Sequence, residues 1–446
     1  MKTRYLNHKS FIQNALLAAV AILLFALLSG CDTDEQPTAD TGHFFEVLSG
    51  DMSRDLNPDT TEADLDACVM GNTQFAVDLY GQLALDAAAS NDNLFFSPYS
   101  ISVAISMVYG GARNETQNQI QSTLHFDLAT PALFQAFNSL DLALSSRGHN
   151  ASGMDGTPFQ LHIVNDTFGQ KDFGFLPEYL NLLSGYYGAG LKVLDFMAAP
   201  DAARDNINSY IYDQTNDRIS DLLPAGSISS LTRLVLTNAI YFNAAWANPF
   251  ETDLTTDQPF TAIDGTESSV SMMQQTEWMP YFAGDDFDAV ALSYDGGEMS
   301  MVFILPDEGT FADFENQLSA TLIQSIFDNL EDESVKLSLP SFEYDASVSL
   351  KDHLIALGMV SPFDETADFS GIDGDTDLLI GGVFHKAFVK VNENGTEAAA
   401  ATAVVVDFKN GIVDATVEVT LNRPFIFLIR DNATDTVLFA GRIVKL

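Results

Sequence analysis

Apolar residues recur at helical spacing over 72–89, where Phe75, Leu79 and Leu83 share one face. A second apolar stretch, 100–109, follows Ser97-Pro98, a strong helix start. The spacing predicts a third helix over 206–215. Later in the chain the pattern shifts to β-branched and aromatic runs, and these predict strands over 233–242, 299–305, 334–339, 387–391, 416–421, 425–429 and 436–444. Helices dominate the first half and strands the second, which is an α+β arrangement rather than an alternating α/β one. No repeat or low-complexity linker interrupts the chain after Asp66, so 67–446 is expected to form one integrated domain.

The amino-terminal pattern is of another kind. Lys2, Arg4 and Lys9 precede an apolar run over 15–28 and then Ser29-Gly30-Cys31. This is the tripartite layout of a signal peptide over 1–30. Leu28-Ser29-Gly30-Cys31 resembles a bacterial lipobox, which implies cleavage before Cys31 and a diacylglycerol on its sulfur. The competing reading is an uncleaved anchor helix over 11–30. Either one carries the body out of the cytoplasm and tethers it to a membrane, as a protein of the bacterial cell envelope facing the periplasm or the cell surface. Residues 31–66 are acidic and turn-rich, with Pro37, Gly42 and Pro58, and read as a flexible tether.

Charge and composition narrow the function. Sixty-two acidic against 20 basic residues give a formal net charge of -42, with no basic stripe for nucleic acid or an anionic membrane surface. The acidity reads first as a solubility device. Cys31 and Cys68 are too few for a disulfide framework and lack zinc spacing. The chain has no GxSxG, HExxH or GxxxxGK[ST] segment, so neither an enzyme nor a cofactor is indicated. His125, His162, His353 and His385 are scattered in apolar or mixed surroundings and read as structural. Asp373, Asp375 and Asp377 imitate a calcium loop, but Leu378 stands where that loop needs Gly and Phe384 where it needs Glu, so a polar turn without metal is expected.

The most informative stretch runs over 393–411. Glu393, Asn394 and Gly395 are followed by Thr396, Glu397, Ala398, Ala399, Ala400 and Ala401, then by Thr402 and a β-branched run to Val406. No charge occurs over 398–406 in a chain otherwise dense with acids. Gly395 supplies backbone freedom. The small residues could pass between existing strands, and none would bury an unpaired ion. On composition alone, a permanent core strand fits as well as a strand that moves.

Residues 395–401 are similar to the proximal hinge of the reactive-centre loop in inhibitory serpins. The resemblance extends through 93–101, 238–242 with Trp246, 301–306, 335–340, 385–387, 422–427 and 438–442, in the family's order from about Asn72 to the end. It implies a domain of three β-sheets and eight to nine helices with an exposed loop. It also implies a monomeric suicide-substrate inhibitor rather than an enzyme, forming a covalent complex with a serine-type protease. A cleaved loop would insert as a new central strand, releasing the stored energy of a metastable fold.

With the family's spacing of about seventeen residues from the hinge glutamate, a length that spans the sheet, the scissile bond falls at Lys409-Asn410. That position suits trypsin-like enzymes; Phe408-Lys409 is the alternative. Thr396, Ala398, Ala400, Thr402, Val404, Val406 and Phe408 would alternate inward, all uncharged. Ser97, Ser100, Asn238 and His385 align with the polar cluster, or shutter, that controls opening of the main sheet, and Trp246 with the breach above it. Residues 138–160 hold only Arg147 as a Lys or Arg, so no glycosaminoglycan site is expected. Two other readings remain: a non-inhibitory serpin acting as a binding or carrier surface lipoprotein, and a surface enzyme whose catalytic constellation the sequence does not supply.

Overall fold

Ser97 starts the helix around which the molecule is built. Its side chain accepts from the Ser100 amide at 3.2 Å, Pro98 supplies a preset φ, and all twelve residues of Pro98–Tyr109 are buried. The computed structural model describes residues 44–88, 91–149, 151, 153, 159–396 and 417–446. Among the described residues, every stretch read as a helix or strand in the sequence lies on an element of that type. Glu62–Ala88 and Pro200–Gln214 are longer than expected at their starts, and Leu234–Ala245, Glu331–Pro340 and Val383–Asn392 also run beyond the expected limits. Glu62–Ala88 begins early because Thr61 and Asp64 form a reciprocal cap, with the Asp64 amide donating to Thr61 Oγ1 and the Thr61 hydroxyl to Asp64 Oδ2.

Two sheets form among the described residues. The seven-stranded sheet runs in the order Glu46–Leu48, Leu191–Leu194, Gln160–Gln170, Leu234–Ala245, Gly395–Thr396, Val383–Asn392, Phe342–Ser349. The other has nine strands. The three sheets implied by the resemblance become two because Glu267–Ala283, 17 residues long, pairs with Thr256–Thr261 and Glu331–Pro340 and then, at its far end, with Phe287–Ser293. Ten α-helical segments are present among the described residues, Phe311–Glu315 and Ser370–Asp373 being little more than one turn. The main core surrounds Pro98–Tyr109. A smaller cluster lies on the other face of the seven-stranded sheet, where Ile207 and Ile211 of Pro200–Gln214 meet Phe168, Val235 and Ala239.

One expectation is corrected. The flexible tether was expected to extend through Asp66, but the chain is folded onto the domain from Phe44 on. Glu46–Leu48 adds an antiparallel edge strand to Leu191–Leu194. Phe45 packs edge-on against Phe168 and Tyr210, with ring centroids 6.1 and 5.3 Å away. Arg54 donates to Asn138 at 2.9 Å and pairs with Asp141 at 2.5 Å. A short apolar alternation and one half-buried, paired cation outweigh the surrounding acidity. The signal segment and Cys31 lie outside the described residues.

Candidate functional site

Leu234–Ala245 and Val383–Asn392 run parallel down the middle of the seven-stranded sheet, but they touch along only part of their length. Leu236 to Ile240 pair with Val383 to Ala387. Above that level Gly395 and Thr396 lie between the two strands, antiparallel to both, opposite Ala245 and Ala244 on one side and Asn392 and Val391 on the other. Only glycine fits at 395: a β-carbon there would stand 2.2 Å from the Ala244 carbonyl oxygen and 2.7 Å from Ala245 Cα. Thr396 is 1% exposed, and its hydroxyl shares a 2.7 Å hydrogen bond with the Tyr294 hydroxyl.

Trp246 closes the top of this opening. It stacks on Tyr294 with centroids 4.7 Å apart, and its indole N–H donates to the Asn392 carbonyl at 2.9 Å. The Trp246 and Phe250 amides donate to the carbonyls of Asn394 and Glu393, both at 2.9 Å. Glu393 accepts from the Thr255 hydroxyl at 2.8 Å. The turn that launches the ribbon is thus fastened on both sides.

At the lower, closed level sits a buried polar cluster. Ser97, Ser100, Asn238 and His385 are all fully buried. His385 Nε2 accepts from the Ser97 amide at 3.1 Å, so the ring proton is on Nδ1 and is donated to Asn238 Oδ1 across the two central strands. Asn238 Nδ2 donates to Ser100 Oγ at 2.5 Å and to Asn165 Oδ1 at 2.6 Å, and the Ser100 hydroxyl donates to Asn165 Oδ1 at 2.9 Å. Burial lowers the His385 pKa from 6.5 to about 3 and keeps the ring neutral. The cluster spans the seam at which the sheet would have to part.

The structure therefore gathers Ser97, Ser100, Asn238 and His385 in one network and sets Trp246 beside Glu393, Gly395 and Thr396. Glu397, Ala398, Ala399, Ala400, Ala401, Phe408, Lys409 and Asn410 lie outside the described residues. Asn165 and Tyr294 were missed by sequence reasoning. Asn165 could have been noticed as a polar break in the strand Gln160–Gln170; nothing in the local pattern marks Tyr294. Arg147, the lone arginine of 138–160, is held by Asp431 at 2.6 Å. The Cys68 thiol is buried in the core, which pushes its pKa up to about 12 and leaves it unreactive.

A mixed α+β domain with a glycine-led ribbon wedged between the two central strands of its main sheet has the architecture of the serpin fold. The comparisons agree. The serpin (serine protease inhibitor) family profile matches residues 70–446, and the chain belongs to that family. It is 40% identical over 372 residues to an uncharacterized serpin-like protein of Thermococcus kodakarensis, covering 83% of this chain and 84% of the relative. It is 40% identical over 382 residues to leukocyte elastase inhibitor A of Mus musculus, covering 83% and 97%. The structure of human thyroxine-binding globulin complexed with its hormone aligns with a TM-score of 0.75 at 29% identity, covering 86% of this chain and 99% of that one.

Proposed function

We propose that this serpin inhibits serine-type endopeptidases of trypsin-like specificity, trapping them as acyl-enzymes when the cleaved loop inserts into the seven-stranded sheet. The supporting observation is the seat of Gly395 and Thr396: two residues of the future strand already pair with both neighbours. Continued in the same register, Ala398 would lie between Phe242 and Val389, Ala400 between Ile240 and Ala387, and Val404 between Leu236 and Val383, all of them buried apolar neighbours. Thr402 would arrive between Asn238 and His385, the pair whose hydrogen bond insertion must break. Its hydroxyl can both donate and accept, and so can satisfy the two groups it separates. On the outer face Glu397 would meet Lys390, and Asp407 would meet Arg233. The whole inhibitory reading is tested by mixing the protein with trypsin. A stoichiometric, denaturant-resistant complex on a gel is expected; cleavage with no complex would count against the reading.

The cellular placement belongs to the same proposal. The charged start, apolar run and Cys31 favour a lipid-anchored envelope protein that displays the inhibitor outside the cytoplasm. Mass spectrometry of the mature amino terminus should find a diacylglyceryl Cys31, and an unprocessed Met1 would oppose it.

A further inference from the structure

We infer that Asn394 is a site of spontaneous covalent modification: its side chain closes onto the Gly395 amide, and the aspartate or isoaspartate that results limits how long the hinge stays competent. The site stands by itself; its effect on protease capture rests on the inhibitory reading above. Attack on an asparagine side chain by the next residue's amide is hindered by that residue's β-carbon, so Asn-Gly is the pair that reacts most readily. The chain holds two such pairs, Asn394-Gly395 and Asn410-Gly411, and the first lies among the described residues. The fold leaves no choice at 395, where a β-carbon would meet the Ala244 carbonyl oxygen at 2.2 Å. The residue before it therefore decides the lifetime of the turn, and here it is asparagine.

Asn394 is half-buried in the turn between Val383–Asn392 and Gly395–Thr396, within reach of water. Its backbone is fixed: the amide donates to Asn392 Oδ1 at 2.9 Å and the carbonyl accepts from the Trp246 amide at 2.9 Å. Among the described residues no hydrogen bond holds its side chain. In the reaction Gly395 N bonds to Asn394 Cγ, the Cγ–Nδ2 bond breaks, and Nδ2 leaves as ammonia with the proton from Gly395. Water then opens the ring at Cγ to give aspartate, or at the main-chain carbonyl carbon to give isoaspartate. The Gly395 N–H donates to Asn392 Oδ1 at 3.2 Å, a long hydrogen bond that must break first, so Asn392 guards the site. Isoaspartate lengthens the backbone by one atom, about 1.5 Å. That pulls Thr396 out of register with Tyr294, whose hydroxyl it meets at 2.7 Å. Aspartate keeps the length but sets a new anion beside Glu393, in a chain whose net charge is already -42.

The test ages the full folded protein at mildly alkaline pH and maps its peptides by mass. The peptide carrying Asn394 is expected to convert from amide to acid, with the isoaspartate fraction read by an isoaspartyl methyltransferase. Asn392→Ala should speed the conversion about tenfold, the value of one lost hydrogen bond. Capture of trypsin by aged wild-type protein should fall in step with the modified fraction. Asn394→Gln, whose longer side chain closes its ring far more slowly, should keep its own fresh value through the same ageing. If the Asn394 peptide keeps its mass in the folded protein while the urea-unfolded chain converts, the site is wrong and inhibition stands. If the peptide converts and capture does not fall, the modification does not limit the hinge. If fresh protein forms no covalent complex, the inhibitory reading fails, and the mass gain still decides the site.

Discussion

His385 and Asn238 carry the seam of the main sheet at the scale of single residues. Burial holds His385 neutral with a pKa of about 3, against 6.5 for a free imidazole. The unfolded chain therefore takes up a proton below 6.5 that the folded chain refuses. This group's stabilising contribution is full above pH 6.5 and shrinks as pH falls toward 3, by up to about 1.4 kcal/mol per pH unit. His385→Gln should flatten the fall of the unfolding midpoint between pH 7 and pH 4.5 relative to wild type; parallel curves would show that His385 does not titrate in this way. At the other end of the ribbon, Lys409→Phe is expected to shift capture from trypsin toward chymotrypsin, read from the two inhibition rate constants. Unchanged preference would place the scissile bond elsewhere. Ser97, Ser100, Asn238 and His385 were legible in the sequence only through their motifs, since a lone buried serine or histidine has no local signature. Asn165, which accepts from two members of the cluster, lies far from them in the chain and becomes visible only when strand Gln160–Gln170 is paired in register.

At the scale of elements, the ribbon and the amino-terminal strap act on the same sheet from opposite sides. Thr396 already occupies a buried slot under Tyr294. Thr396→Arg puts an unpaired cation there, at a cost of several kcal/mol. It should turn the inhibitor into a substrate, with loop cleavage on the gel but no retained complex; a full yield of complex would contradict the insertion route. On the far edge, Phe45 joins Phe168 and Tyr210 around the Lys192 ammonium, which stands 5.0 Å from the Tyr210 centroid. Tyr210 belongs to Pro200–Gln214, the helix that covers the outer face of the sheet, so the strap ties this helix to the strands beneath it. Phe45→Ala should lower stability by about 2 kcal/mol in a denaturant titration; no change would mean that the strap bears no load. The sequence showed the long periodic elements because their patterns are local. It hid the strap because Glu46–Leu48 is three residues long inside an acidic stretch, and only pairing with Leu191–Leu194 makes it a strand. The joining of two sheets through Glu267–Ala283 was hidden for a similar reason: its two ends serve different neighbours.

The whole molecule is organised around a sheet closed below and wedged open above. The lower half is held by direct pairing of Leu236–Ile240 with Val383–Ala387 and by the polar cluster at their centre. The upper half already holds Gly395 and Thr396, the first two residues of the strand that the proposed insertion would complete. Under the proposed mechanism, a cut in the loop lets the residues after Thr396 follow it between the two strands. Full insertion would then add a central strand, and a net gain of about 5 kcal/mol would raise the midpoint of a domain this size by on the order of 10 °C. The most direct measurement is the thermal unfolding midpoint before and after a single cut at the loop by a protease that does not form the complex. A sharp rise is expected after the cut. A nicked protein that melts at the same temperature as the intact one would contradict it, and the carrier reading would take its place.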